Sequence, residues 1–135
     1  MTEAQKNLEE AKEYFGGDRY ATKTTGIEIL EASKGHAKCA LKIEDKHKNA
    51  LDQVMGGVLF VMADFAFAIA SNFKQTPVVT QTSQITYLSA AKGEMLYAEA
   101  ERIRHGRRAC FYKITITDDL GNDVAYITTT GFVVG

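Results

Sequence analysis

Residues 53–73 read QVMGGVLFVMADFAFAIASNF. From Gly56 onward almost every position is apolar, whichever side of a helix it falls on, and Asp64 is the one charged residue in the run. A helix that is apolar nearly all round must be covered on most of its sides. A membrane span would need about 20 uninterrupted apolar residues. The two opening glycines and the charge at Asp64 therefore favour a buried helix, predicted over Gly56 to about Phe73.

The flanking sequence supplies strands to cover it. His36 to Glu44 alternates, with Ala37, Cys39, Leu41 and Ile43 on one face and Lys38, Lys42 and Glu44 on the other. That is the period of a strand with one buried face. Ala21 to Ala32, rich in Thr and Ile, is predicted to be its hairpin partner across the turn Ser33-Lys34-Gly35. Asp45 to Gln53 is polar and irregular. After the helix come Pro77 and four predicted strands: Val78–Leu88, Glu94–Arg104, Arg107–Thr117 and Asp123–Val134. Turns at Ala90–Gly93, His105-Gly106 and Asp118–Asn122 separate them. At the other end, Thr2 is a plausible N-cap for an amphipathic helix running to Phe15 and stopped by Gly16-Gly17.

The order is thus helix, two strands, long helix, four strands. Six strands joined largely by hairpins can form one curved antiparallel sheet around the apolar helix, an α+β architecture. The 135 residues, 45% of them hydrophobic, suit one domain over 1–135 with a core that needs no staples. It would comprise an N-terminal helix in 1–17 and a central helix in 56–73.

Composition narrows the function classes. A net charge of −1 gives no global attraction to nucleic acid or to an anionic membrane. The N-terminus lacks the basic start and apolar run of a secretory signal. Cys39 and Cys110 match no metal or redox spacing and read as free thiols in strands, which fits a cytoplasmic location. His36, His47 and His105 likewise have no metal-ligand spacing.

Asp64 carries the chemical interest. A buried ionised carboxylate costs several kcal/mol unless it is paired or hydrogen-bonded, and no Lys or Arg lies within its helix. Such residues are functional candidates; the alternative is an Asp facing solvent from a partly covered helix. Gly56-Gly57 begins the helix, where free N–H groups favour negative charge and can serve as an oxyanion hole; the alternative is a plain loop-to-helix turn. Eight residues separate Gly56 from Asp64, about 12 Å along the axis. If both act on one carbonyl, they must come from antiparallel helices of two subunits.

The stretch His47-Lys48-Asn49-Ala50-Leu51-Asp52-Gln53-Val54-Met55-Gly56-Gly57, leading to Asp64, resembles the signature of hotdog-fold thioesterases of the phenylacetate-pathway (PaaI-like) type. Gln84 to Glu94 is similar to that family's third strand and turn. The resemblance implies a hotdog fold, a homodimer with a sheet continuous across the interface, and often a dimer of dimers. It implies hydrolysis of acyl-CoA with no metal or cofactor, coenzyme A entering only as part of the substrate. By position, Asp64 would be base or nucleophile, Gly56 the oxyanion donor, and Asn49 would orient the thioester or water from the partner chain. Thr80 or Thr82, expected on one face of the next strand, would hold the water. Met55 and Gly57 would line the substrate, and Arg104 and Arg107, in a basic hairpin with Arg102, His105 and Arg108, would meet the phosphates of CoA; a solvated strand end is the other meaning of that cluster.

Two positions depart from the pattern. Met55 stands where the family has histidine and cannot donate an imidazole's hydrogen bond, while the Gly56 amide is unaffected. Asp52 stands where glycine is common. Two further readings follow: a non-catalytic acyl-CoA-binding hotdog protein, which Met55 favours, and a hotdog dehydratase or hydratase. The last needs a histidine beside the carboxylate, and none lies between His47 and His105.

Overall fold

The apolar run forms helix α2, Gly56–Asn72, in a computed structural model that describes residues 1–135. Its ten buried residues include Leu59, Met62, Phe65, Phe67 and Ile69. Six antiparallel strands wrap it: β1 Glu28–Ser33, β2 His36–Lys42, β3 Val78–Tyr87, β4 Met95–His105, β5 Ala109–Asp118 and β6 Asp123–Val133. This is the hotdog arrangement, an α+β fold. One cluster of 30 buried hydrophobic residues lies between the sheet and α2. Phe67 is fully buried in it, edge-on to Tyr112 with ring centroids 5.2 Å apart. Truncating Phe67 to Ala would cost about 3–5 kcal/mol.

The sheet order is β1-β2-β4-β5-β6-β3. The β1–β2, β4–β5 and β5–β6 hairpins follow the chain, but β3 crosses over to pair with β6 and becomes an edge strand. Helix α1, Glu3–Phe15, has Thr2 as its N-cap in a capping box with Gln5. It buries Ala11 and Phe15.

One expected element is corrected. The first half of the predicted strand Ala21–Ala32 is a π-helical segment, Tyr20–Thr25, and β1 begins only at Glu28. The Thr22 hydroxyl donates to the carbonyls of Asp18 (3.0 Å) and Gly16 (3.3 Å). Such side-chain bonds draw Thr out of a ladder. Gly26, at φ 91°, ends the segment in the left-handed region that glycine enters without strain.

No helix is long and apolar enough to cross a membrane.

Candidate active site

Helix α2 is not covered on every side. Gly57 and Asp64 are exposed, and Phe60, Val61 and Ala68 are half-buried. These positions recur at helical spacing, so one stripe of α2 is open, apolar except for Asp64. The open stripe is the floor of a groove of about 700 Å³. Its walls are Asp18 to Ala21, from the end of the α1 connection and the π-helical segment, and Thr80 and Ser83 of β3.

The Thr80 hydroxyl donates to the Asp64 carboxylate at 3.4 Å, a long bond. Solvent reaches Asp64 through the groove mouth, yet the walls displace enough water to push its carboxyl above the ordinary carboxylate range. The Thr80 bond pulls the other way, and the negative charge of Asp18 adds to the rise.

Thr82 does not share a face with Thr80, which corrects the expectation for that strand. The register on β6 runs Thr80↔Gly131, Thr82↔Thr130, Ser83↔Thr129, so the chain bulges at Gln81. The bulge reverses the alternation. Ser83 therefore joins Thr80 in the groove, and its hydroxyl meets that of buried Thr129 at 2.9 Å. Thr82 is left on the outer face. Ser83 was missed because period-two counting from Thr80 skips it.

Gly56 lies in a separate depression with Gln53, Val54, Leu59 and Tyr87 to Ala91. Neither the Gly56 nor the Gly57 N–H donates to a backbone carbonyl; the first paired amide is that of Val58, to the Met55 carbonyl at 3.0 Å. Two helix-terminal donors are thus free for an anion. Met55 is the N-cap residue, without a capping side-chain bond. It is 49% exposed, and its methyl carbon lies 2.9 Å from where a Cβ on Gly57 would stand.

The loop before α2 is built by its own polar groups. Asn49 Oδ1 accepts from the N–H groups of Leu51 (2.9 Å) and Gln53 (3.2 Å), which leaves the Asn49 amide N–H groups free on the exposed surface. Asp52 takes φ 61°, the left-handed conformation in which glycine is easiest and Asp tolerated, which accounts for an aspartate at that position. His47 is buried: Nδ1 accepts from the Glu44 N–H (2.9 Å), so Nε2 donates to the Thr25 carbonyl (2.8 Å). This histidine ties the loop to the π-helical segment.

Arg104 and Arg107 are exposed and line neither depression. Arg104 is paired with Phe111 on the outer face of the sheet. Arg102 instead serves the fold, donating to the Tyr112 hydroxyl (3.2 Å) and to Gln75 Oε1 (2.7 Å). Both cysteines are buried and free, and burial pushes the Cys39 thiol up to about 12. No three His, Cys, Asp or Glu side chains come together in a way that could hold a metal ion.

Residues 53–125, more than half of the chain and including all of α2, match the family model described as Thioesterase superfamily. The chain belongs to the thioesterase superfamily. Within it, this thioesterase-superfamily chain is 30% identical over 104 residues to the acyl-coenzyme A thioesterase PaaI of Escherichia coli, covering 76% of this chain and 74% of that one. A protein of Archaeoglobus fulgidus named as an esterase is 31% identical over 119 residues, 87% of this chain and 77% of its own. Among solved structures, a hypothetical thioesterase protein of Streptococcus pneumoniae, determined with coenzyme A, superposes with a TM-score of 0.83 at 28% identity. The match covers 92% of this chain and 97% of the other.

Proposed function

We propose that this thioester hydrolase cleaves acyl-CoA to a free acid and CoA, with Asp64 as base or nucleophile and the Gly56 amide as oxyanion donor. The observation that carries this reading is Asp64 itself: a carboxylate with raised proton affinity on the open, otherwise apolar stripe of α2, held by Thr80 in a groove large enough for an acyl chain. The superfamily match and the CoA held by the Streptococcus pneumoniae relative support thioester chemistry on a CoA-bound acyl group.

As base, Asp64 takes a proton from water while the oxygen attacks the thioester carbonyl. As nucleophile, it attacks directly, and water then hydrolyses the mixed anhydride. By either route negative charge gathers on the carbonyl oxygen, the C–S bond breaks, and the CoA thiolate leaves. A carboxyl with a raised proton affinity is a better general base near neutrality. Free helix-terminal amides are suited to the developing oxyanion.

Asp64 and Gly56 of one chain are about 12 Å apart along the helix and line separate depressions. If both act on one carbonyl, that separation calls for a second copy to complete the site. The unpaired edge of β3 and the open stripe of α2 are the surfaces suited to bring two α2 helices together. In such a homodimer the free Asn49 amide would face the partner's thioester or water, Met55 and Gly57 would border it, and Thr80 with Ser83 would hold the water. Thr82, on the outer face, has no part in this arrangement, and exposed Arg104 and Arg107 are left as cations for the phosphates of CoA.

The test is a panel of aromatic, short-chain and medium-chain acyl-CoAs with free thiol detected, wild type against Asp64→Asn. Loss of turnover in the variant is expected; full activity would remove Asp64 from the mechanism. Met55 favours one other reading, acyl-CoA binding without turnover, and calorimetry showing binding with no thiol release from any thioester would establish it.

A further inference from the structure

The groove that holds Asp64 also holds a second carboxylate. Asp18 comes from the turn after α1, far from α2 in sequence, and its backbone is fixed. Its N–H donates to the Phe15 carbonyl (3.0 Å), and its carbonyl accepts from both the N–H and the hydroxyl of Thr22 (each 3.0 Å). Pinned there, the short Asp18 side chain lines the same groove as Asp64.

We propose that Asp18 is a positioning residue for Asp64: a second carboxylate in the same groove, whose negative charge raises the pH at which Asp64 becomes the working base. The inference rests on the hydrolytic reading given above and adds a residue to it. Two like charges in a partly desolvated site oppose each other's ionisation. That effect grows as an acyl chain fills the groove and lowers the local dielectric.

The other groups facing Asp64 leave Asp18 as the charge that matters. On α2, Asp64 is the one ionisable side chain. From β3 come the hydroxyls of Thr80 and Ser83, which are neutral. From the wall come Arg19 and Tyr20 beside Asp18. Arg19 makes no ion pair with either carboxylate. The influence of Asp18 on Asp64 is upward, alongside the larger effect of desolvation.

The experiment uses the full chain labelled with 13C at the aspartate carboxyls. The Asp64 resonance, assigned by its loss in Asp64→Asn, is titrated in wild type, Asp18→Asn and Asp18→Glu. The acid limb of kcat/KM is measured on the same three proteins with an acyl-CoA that wild type hydrolyses. In Asp18→Asn the Asp64 midpoint should move to lower pH by more than about 0.3 unit, a twofold change in proton affinity, and the kinetic limb should follow. Asp18→Glu, which restores the charge, should return both toward wild type. An unmoved Asp64 midpoint in Asp18→Asn overturns the proposal, as does a midpoint that moves without the kinetic limb. If no thioester is turned over by wild type, the hydrolytic reading falls separately, and the carboxyl titration still decides whether Asp18 acts on Asp64.

Discussion

The hydroxyl oxygen of Tyr87 lies 2.8 Å from the point a Cβ on Gly56 would occupy, and the ring carbon bearing it lies 2.9 Å away. The last residue of β3 thus rests on the first turn of α2. Replacing glycine by alanine in a helix ordinarily stabilises by about 0.5–1 kcal/mol. Here Gly56→Ala is expected to destabilise instead, by ~1 kcal/mol of overpacking. In a Tyr87→Ala background the same substitution should recover its ordinary stabilising sign. Urea midpoints of the four proteins check this, and a Gly56→Ala that stabilises the wild-type background refutes it.

Asp64→Asn should divide activity from stability. Loss of the carboxylate is expected to reduce kcat by about 100-fold or more. Because desolvation raises the folded-state proton affinity of Asp64, the ionised group opposes folding above that raised midpoint. The strain is absent below the unfolded-state value and grows as pH rises through the folded-state value. Asp64→Asn should therefore have a higher Tm than wild type at pH 7, with the gap closing in acid. Thermal scans at several pH values measure it.

Thr80→Val keeps the shape of the side chain and removes the hydroxyl that donates to Asp64 at 3.4 Å. That bond favours the ionised form, so its loss should move the acid limb of the rate profile to higher pH, opposite to the shift expected from Asp18→Asn. A limb that moves down would contradict the assigned role.

Mixing two inactive variants tests whether each site draws on two chains. Gly56→Pro removes the oxyanion N–H at a helix position where proline is tolerated, at a stability cost like that of Gly56→Ala, since its Cβ meets the same Tyr87 ring. A heterodimer of Asp64→Asn with Gly56→Pro has one intact site and one doubly broken site. Random remixing of the two should restore about one quarter of wild-type activity for a two-fold dimer. Restoration near zero, with heterodimers demonstrated by mass spectrometry, would place both groups in one chain.

Asp118 supplies a pH effect remote from the groove. Burial by itself would raise its carboxyl. The N–H groups of Lys92, Leu120 and Asn122 and the Asn122 side-chain amide outweigh that and hold it at about 2. A lowered folded-state value stabilises above the unfolded-state value and is lost as pH falls toward 2. Asp118→Asn should therefore lower Tm at pH 7, and the difference from wild type should shrink between about pH 4 and pH 2.

The fold could be read from the sequence because its main elements obey one period each. The apolar run of α2 and the alternation of β2 are covered on the faces the pattern names. The Tyr20–Thr25 segment defeated the same reasoning: threonine favours strands on average, but the Thr22 hydroxyl is spent on the carbonyls of Gly16 and Asp18. In the candidate site, Asp64 and Gly56 were visible because each is an exception within its own segment. Asp18 and Ser83 carry no local signal. Asp18 is an ordinary acid in a turn until the α1 connection folds against α2, and Ser83 turns toward the groove only through the bulge.

That bulge makes β3 sensitive to arithmetic parity. Residues before Gln81 and after it obey opposite alternations, so Thr80 and Ser83, three apart, look the same way. A deletion of Gln81 alone would remove the bulge and leave Thr82 outward and Ser83 inward, because the Thr80↔Gly131 and Thr82↔Thr130 pairs would then be successive. Loss of a second residue would invert the faces from that point as far as Tyr87, the side chain that rests on Gly56. Related chains that are one residue shorter here should therefore have a regular strand that turns the same side chains to the groove.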